Sequence, residues 1–187
     1  MSNEFFLADD EARSVYLRLL GIGLRNSDWR CFSYGLMSSH IHLGTQAGET
    51  PLSDWLREPH NLFAEWINRK YKRIGGVFVR GPRDHRVEPQ HILRLIGYIH
   101  TNPVRAGVVR SAEESTWTSA REYLGEAGPD WLDVELGLQL AGAPSGRALA
   151  DWTNRAHASG ELTRRGLVRP RGRPLSEKGS HPISNDV

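Results

Sequence analysis

The chain has 187 residues, 24 Lys and Arg against 22 Asp and Glu, and a single cysteine. A chain of this length buries a core without covalent staples, and Cys31 has no partner, so a disulfide framework is excluded. With no apolar run of about eighteen residues and no basic-then-apolar leader after Met1, the expectation is a soluble, cytoplasmic protein.

In chain order, Asp9 and Asp10 precede Ala12, Val15, Tyr16, Leu19 and Leu20 at helical spacing, with Gly21 and Gly23 expected to close that helix. Residues 30–37 and 40–45 read as two strands of a hairpin turned at Ser38-Ser39. Trp55, Leu56, Leu62, Phe63, Trp66 and Ile67 predict a helix over about 53–71, which Pro59 should kink or split. Val77-Phe78-Val79 reads as a short strand running into the basic turn Arg80–Arg83. Pro89 then opens a helix with the stripe Ile92, Leu95, Ile96 and Ile99, interrupted at Asn102-Pro103. One or two small helices are expected around 131–140 and 148–156. From about Gly166 the Arg-, Pro-, Gly- and Ser-rich chain reads as a disordered basic tail.

Charge is segregated along this framework. Residues 64–110 carry ten basic and three acidic side chains, residues 111–163 three and nine, and residues 164–187 six and two. The pattern suits a centre and a tail that face a polyanion, and equally a solvated Lys/Arg face. Side-chain patterning is more specific. His40 and His42 alternate with Ile41 and Leu43, so on a strand both imidazoles share one face and can share a divalent metal; the alternative is incidental surface histidine. Tyr98 and Asn102, four apart, stack on one side of a helix opposite the apolar stripe. They are either a phenol and a carboxamide converging on a metal held by the histidines, or an ordinary helix aromatic and a helix-ending residue.

Four segments then occur in order: Gly35-Leu-Met-Ser-Ser-His40-Ile-His42-Leu, Val77-Phe-Val-Arg-Gly81, Tyr98-Ile-His-Thr-Asn102-Pro-Val-Arg-Ala-Gly107-Val, and Trp117-Thr-Ser-Ala-Arg-Glu-Tyr-Leu-Gly125. Over roughly residues 3 to 140 the chain resembles the REP-associated tyrosine transposases, relatives of the small single-strand insertion-sequence transposases with an HUH nuclease domain. The resemblance implies an α+β fold, a ferredoxin-like antiparallel sheet with packed helices, over residues 1–125. A helical extension (126–165) and the disordered basic tail (166–187) would follow. It further implies that His40, His42 and Asn102 bind Mg²⁺ or Mn²⁺, and that Tyr98 attacks a DNA phosphodiester to leave a 5′-phosphotyrosine and a free 3′-hydroxyl. The implied partner is single-stranded or hairpin-forming repeat DNA, met by a monomer or homodimer in the bacterial cytoplasm at the nucleoid.

Within that resemblance, Lys70, Lys72, Arg73, Arg80, Arg83 and Arg105 are candidates for phosphate contacts, which supply affinity rather than sequence preference. Arg171 and Arg173, in Pro170-Arg-Gly-Arg-Pro174, have the form of a minor-groove hook; a generic basic tail and the start of a longer extension are the other readings. Trp117 either stacks on a base or fills the core, and Tyr123 reads as structural. The chain departs from the family in three ways. It lacks the central strand expected ahead of Asn3-Glu-Phe-Phe6, it carries Ser38-Ser39 for the usual Pro-Asn, and Pro82 replaces an aromatic. Without that strand, backbone groups beside the histidine hairpin go unpaired unless another segment substitutes. Either the true start lies upstream of Met1 or this is a decayed copy, a catalytically inactive DNA-binding remnant; a separate reading is a small-phosphoester hydrolase using only the histidines.

Overall fold

The structure, a computed structural model, describes Leu7, residues 9–78, Pro82 and residues 84–162. Helix α1 (Asp10–Arg25) starts where Asp9 Oδ1 accepts the Ala12 amide hydrogen at 2.7 Å, with Asp10 and Glu11 in the first turn, the placement that complements the helix dipole. It runs through Gly21 and Gly23, which were expected to end it. Both glycines are sites of close approach: a Cβ on Gly21 would run into the Trp131 ring, and one on Gly23 would lie 2.7 Å from the Pro59 ring and the Trp55 carbonyl oxygen.

Helix α2 (Leu52–Lys70) likewise continues through Pro59 instead of splitting. Proline at 59 cannot donate to the carbonyl four residues earlier, that of Trp55. This is the carbonyl against which Gly23 of α1 is seated, so tertiary packing covers the weak point. Tyr16, Phe63 and Phe78 meet edge-on or tilted between the helices, and His60 stacks on Phe78 with ring centroids 4.1 Å apart. Val77 is buried in this core; neither it nor Phe78 belongs to a strand, and Val79 lies outside the described residues.

Strands β1 (Arg30–Leu36) and β2 (Ile41–Gln46) form the expected antiparallel hairpin, with Tyr34 opposite Leu43, Gly35 opposite His42 and Leu36 opposite Ile41. Among the described residues this is a two-stranded sheet, and the fold is α+β. Tyr34, Leu36, Ile41 and Leu43 pack against α1 and α2. Cys31 pairs with Thr45 and Ser33 with Gly44, so an extra residue is inserted at Phe32. Phe32 thereby turns to a second core with Ile96, Tyr123, Leu136 and Leu149. Gly44 makes room for it, since a Cβ there would lie 2.7 Å from the Phe32 ring.

The opposite face of the hairpin carries α3 (Ile92–His100), introduced by a single 3-10 turn at Pro89–His91. The chain breaks at Thr101 and resumes as α4 (Asn102–Arg105), as Asn102-Pro103 predicts. After α5 (Ala120–Tyr123), helices α6 (Val134–Ala141) and α7 (Gly146–Ala158) pack against α3, so the segment beyond residue 126 shares the second core.

The outer edge of β1 is occupied. Leu36 donates its N–H to the Trp117 carbonyl at 2.8 Å, and Ser119 N–H donates to the Tyr34 carbonyl at 3.0 Å. Tyr34 N–H donates to Ser119 Oγ at 3.1 Å, Tyr123 OH to the Phe32 carbonyl at 2.8 Å, and Asp133 N–H to the Cys31 carbonyl at 2.8 Å. Residues 117–119 and 132–133 therefore satisfy the backbone that a preceding strand would otherwise pair. Among the described residues, no helix is long and apolar enough to cross a membrane.

Candidate active site

His42 lies within β2, and His40 sits one residue before that strand. Met37 N–H donates to the His40 carbonyl at 2.9 Å, which closes the hairpin around Ser38-Ser39 despite its departure from Pro-Asn. Strand alternation puts the two imidazoles on one face: their ring centroids are 4.8 Å apart and nearly perpendicular, at 85°. His40 is exposed, with Nδ1 3.2 Å from Ser39 Oγ, and His42 is half-buried.

The same face receives α3, because position 35, opposite His42, is glycine. A Cβ at Gly35 would come within 3.1 Å of Ile99 Cγ2 and 3.3 Å of the Ile99 carbonyl oxygen. A buried polar lock sets the helix register: His100 Nε2 lies 2.9 Å from Ser119 Oγ and 3.4 Å from Ser33 Oγ, and the two hydroxyl oxygens are 3.2 Å apart. His100 is only 2% exposed, and burial lowers its pKa to about 3, so it stays neutral.

With α3 seated, Tyr98 meets His42. Its ring centroid is 5.6 Å from that of His42, with the planes at 81°. The Arg105 guanidinium carbon lies 5.0 Å from the centroid of the Tyr98 ring. Asn102 opens α4 one turn beyond Tyr98, half-buried, and its Nδ2 atom is buried without a hydrogen-bond partner among the described residues. A half-turn of the carboxamide would present Oδ1, a cation ligand, at that buried position. Among the described residues there is no cluster of three or more His, Cys, Asp or Glu side chains; the nitrogen donors brought together here are the His40 and His42 imidazoles. Two nitrogen donors on one strand face favour Mn²⁺ over Mg²⁺, which prefers oxygen.

The basic candidates are dispersed. Lys70 Nζ is 2.9 Å from Asp9 and 2.8 Å from Glu11, and it lies over the Trp66 and Tyr71 rings; these carboxylates raise its pKa. The Tyr71 hydroxyl, more than the Lys70 ammonium, holds the Asp9 carboxyl down at about 2. Lys72 is exposed in the left-handed region at φ 50°, just past α2, and Arg73 N–H donates to the Asn68 carbonyl at 2.8 Å. Arg80, Arg83, Arg171 and Arg173 lie outside the described residues. Trp117 is half-buried at the core margin under the Arg13 guanidinium, 5.4 Å from the ring centroid.

Sequence patterning misses the Ser33–His100–Ser119 lock. Its one signal is that His100 stands between Tyr98 and Asn102. Glu122, which accepts the Tyr34 hydroxyl at 2.6 Å, carries no signal at all. Comparison of the chain with protein-family models, with curated proteins and with solved structures finds no match in any of the three.

Proposed function

We propose that the chain is a metal-dependent nuclease and strand-transferase that cuts single-stranded DNA through a phosphotyrosine intermediate. Within that class it is read as a REP-associated tyrosine transposase with the ferredoxin-like HUH architecture, acting on hairpin-forming repeat DNA. The observation that carries the reading is the contact of the Tyr98 ring with His42, beside His40 on the same strand face.

In this mechanism Tyr98 Oη attacks the scissile phosphorus in line with the leaving 3′ oxygen. The phenol gives up its proton, the O–P bond to tyrosine forms, and the 3′ oxygen departs and gains a proton. The products are a 5′-phosphotyrosine and a free 3′-hydroxyl. Because the covalent link keeps the phosphoester, a 3′-hydroxyl can attack it in the reverse sense and join strands without a nucleotide cofactor. His40, His42 and Asn102 would hold Mn²⁺ or Mg²⁺, which supplies charge stabilisation for the phosphoryl oxygens. The hairpin keeps the imidazoles rigid, and the Gly35–Ile99 contact with the His100 lock holds α3 in place beneath the nucleophile. The inactive-remnant reading rests on unpaired backbone next to β1. Residues 117–119 and 132–133 occupy that edge, which favours an intact site.

The test uses a hairpin oligonucleotide with a single-stranded flank, incubated with Mn²⁺ and resolved under denaturing conditions. The wild type is expected to form a covalent adduct, and Tyr98→Phe to lose it while hairpin affinity stays within about twofold. Adducts retained by Tyr98→Phe would remove this tyrosine from the role.

A further inference from the structure

Arg105 is occupied in a way that a phosphate contact does not require. Its guanidinium lies over the Tyr98 ring, and its Nη1 donates to the Leu162 carbonyl at 2.8 Å. That carbonyl belongs to a strap. After α7 the chain crosses back over α3, where Arg94 Nη2 donates to the Glu161 carbonyl at 2.9 Å. The Leu162 side chain, 3% exposed, is pressed onto Gly97, where a Cβ would lie 3.3 Å from Leu162 Cδ1. Gly97 directly precedes Tyr98. The strap is thus pinned at three points along α3 and α4, and the last pin rests on the nucleophile's ring.

We infer that Arg105 is a positioning residue, held by the 161–162 strap, which fixes the Tyr98 ring toward the histidine pair. The inference builds on the transposase reading. Arginine suits the task, since its planar group can lie on an aromatic face while a forked N–H reaches a carbonyl; lysine keeps the charge but has neither plane nor fork. The strap also makes the helices beyond residue 126 part of the active-site scaffold, because the carbonyl that anchors Arg105 lies at their C-terminal end. Small misplacements of a nucleophile are costly, so the consequence belongs in the chemical step rather than in DNA binding.

The experiment compares the full-length chain with Arg105→Gln and Arg105→Lys, each with 3-fluorotyrosine at position 98. Hairpin affinity is measured as a function of salt, the rate of adduct formation at saturating DNA with Mn²⁺, and the fluorine resonance without DNA or metal. Both variants are expected to keep the wild-type affinity and salt slope and to form adduct about ten- to a hundredfold more slowly. Both should also shift or broaden the fluorine signal. A salt slope reduced by about one with an unchanged saturated rate would make Arg105 a phosphate contact and overturn the inference. So would full rescue by lysine. If the wild type forms no adduct, the transposase reading fails by itself. The fluorine signal then still decides for the contact beneath the inference: a displaced resonance sustains the Arg105 contact with the Tyr98 ring, and an unmoved one refutes it.

Discussion

Replacing His100 by glutamine should flatten the acid limb of the stability curve. His100 is buried between α3 and β1 with its Nε2 atom on two serine hydroxyls, and its native pKa lies near 3, lowered by burial. In the unfolded chain a histidine titrates near 6.5. Between those two values the unfolded state takes up a proton that the native state refuses. Stability is therefore fully present above about pH 6.5 and falls as pH drops, by about 1.4 kcal/mol per unit, until the native pKa is reached. From pH 7.5 to pH 5.0 this one group should cost about 2 kcal/mol, a sizeable share of a typical domain's total of about 5–15 kcal/mol. Glutamine keeps a polar atom near the Nε2 position and has no proton to gain. Urea unfolding followed by tryptophan fluorescence at both pH values should show the wild type losing about 2 kcal/mol more than His100→Gln over this interval. Equal losses would mean that His100 is not held neutral in the native state, and the lock between α3 and β1 would be wrongly described.

Two other substitutions probe how the site is seated. Gly35→Ala puts a methyl group 3.1 Å from Ile99 Cγ2; it should cost about 1–3 kcal/mol in urea unfolding and slow adduct formation by lifting α3 from His42. Tyr123→Phe removes the donor to the buried Phe32 carbonyl and should cost about 1–3 kcal/mol in the same assay, with hairpin affinity unchanged.

The parts of this molecule that follow from local chemistry were legible before the structure. Period-two alternation marks the hairpin and puts His40 and His42 on one face. The stripe Ile92, Leu95, Ile96 and Ile99 marks α3, and proline at 103 marks its break. What the chain does at a distance was not legible. Gly21, Gly23 and Pro59 are helix breakers by propensity, yet they lie inside helices because each meets another element across the fold. The cover on the β1 edge comes from residues more than eighty positions later, and no periodicity announces that pairing. Lys70 reads as a free cation until the fold brings it to Asp9 and Glu11. At the site, the approach of Tyr98 to His42 depends on a glycine in β1 and a buried histidine in α3, neither of which looks functional in isolation.

The phenol beside the histidine pair is proposed to become the covalent carrier of DNA. The decisive measurement is digestion of the adduct formed with Mn²⁺ and sequencing of the modified peptide by mass spectrometry. A nucleotide 5′-phosphate is expected on Tyr98; a phosphate on any other residue, or cleaved DNA with no protein-bound nucleotide, would overturn that role for the tyrosine.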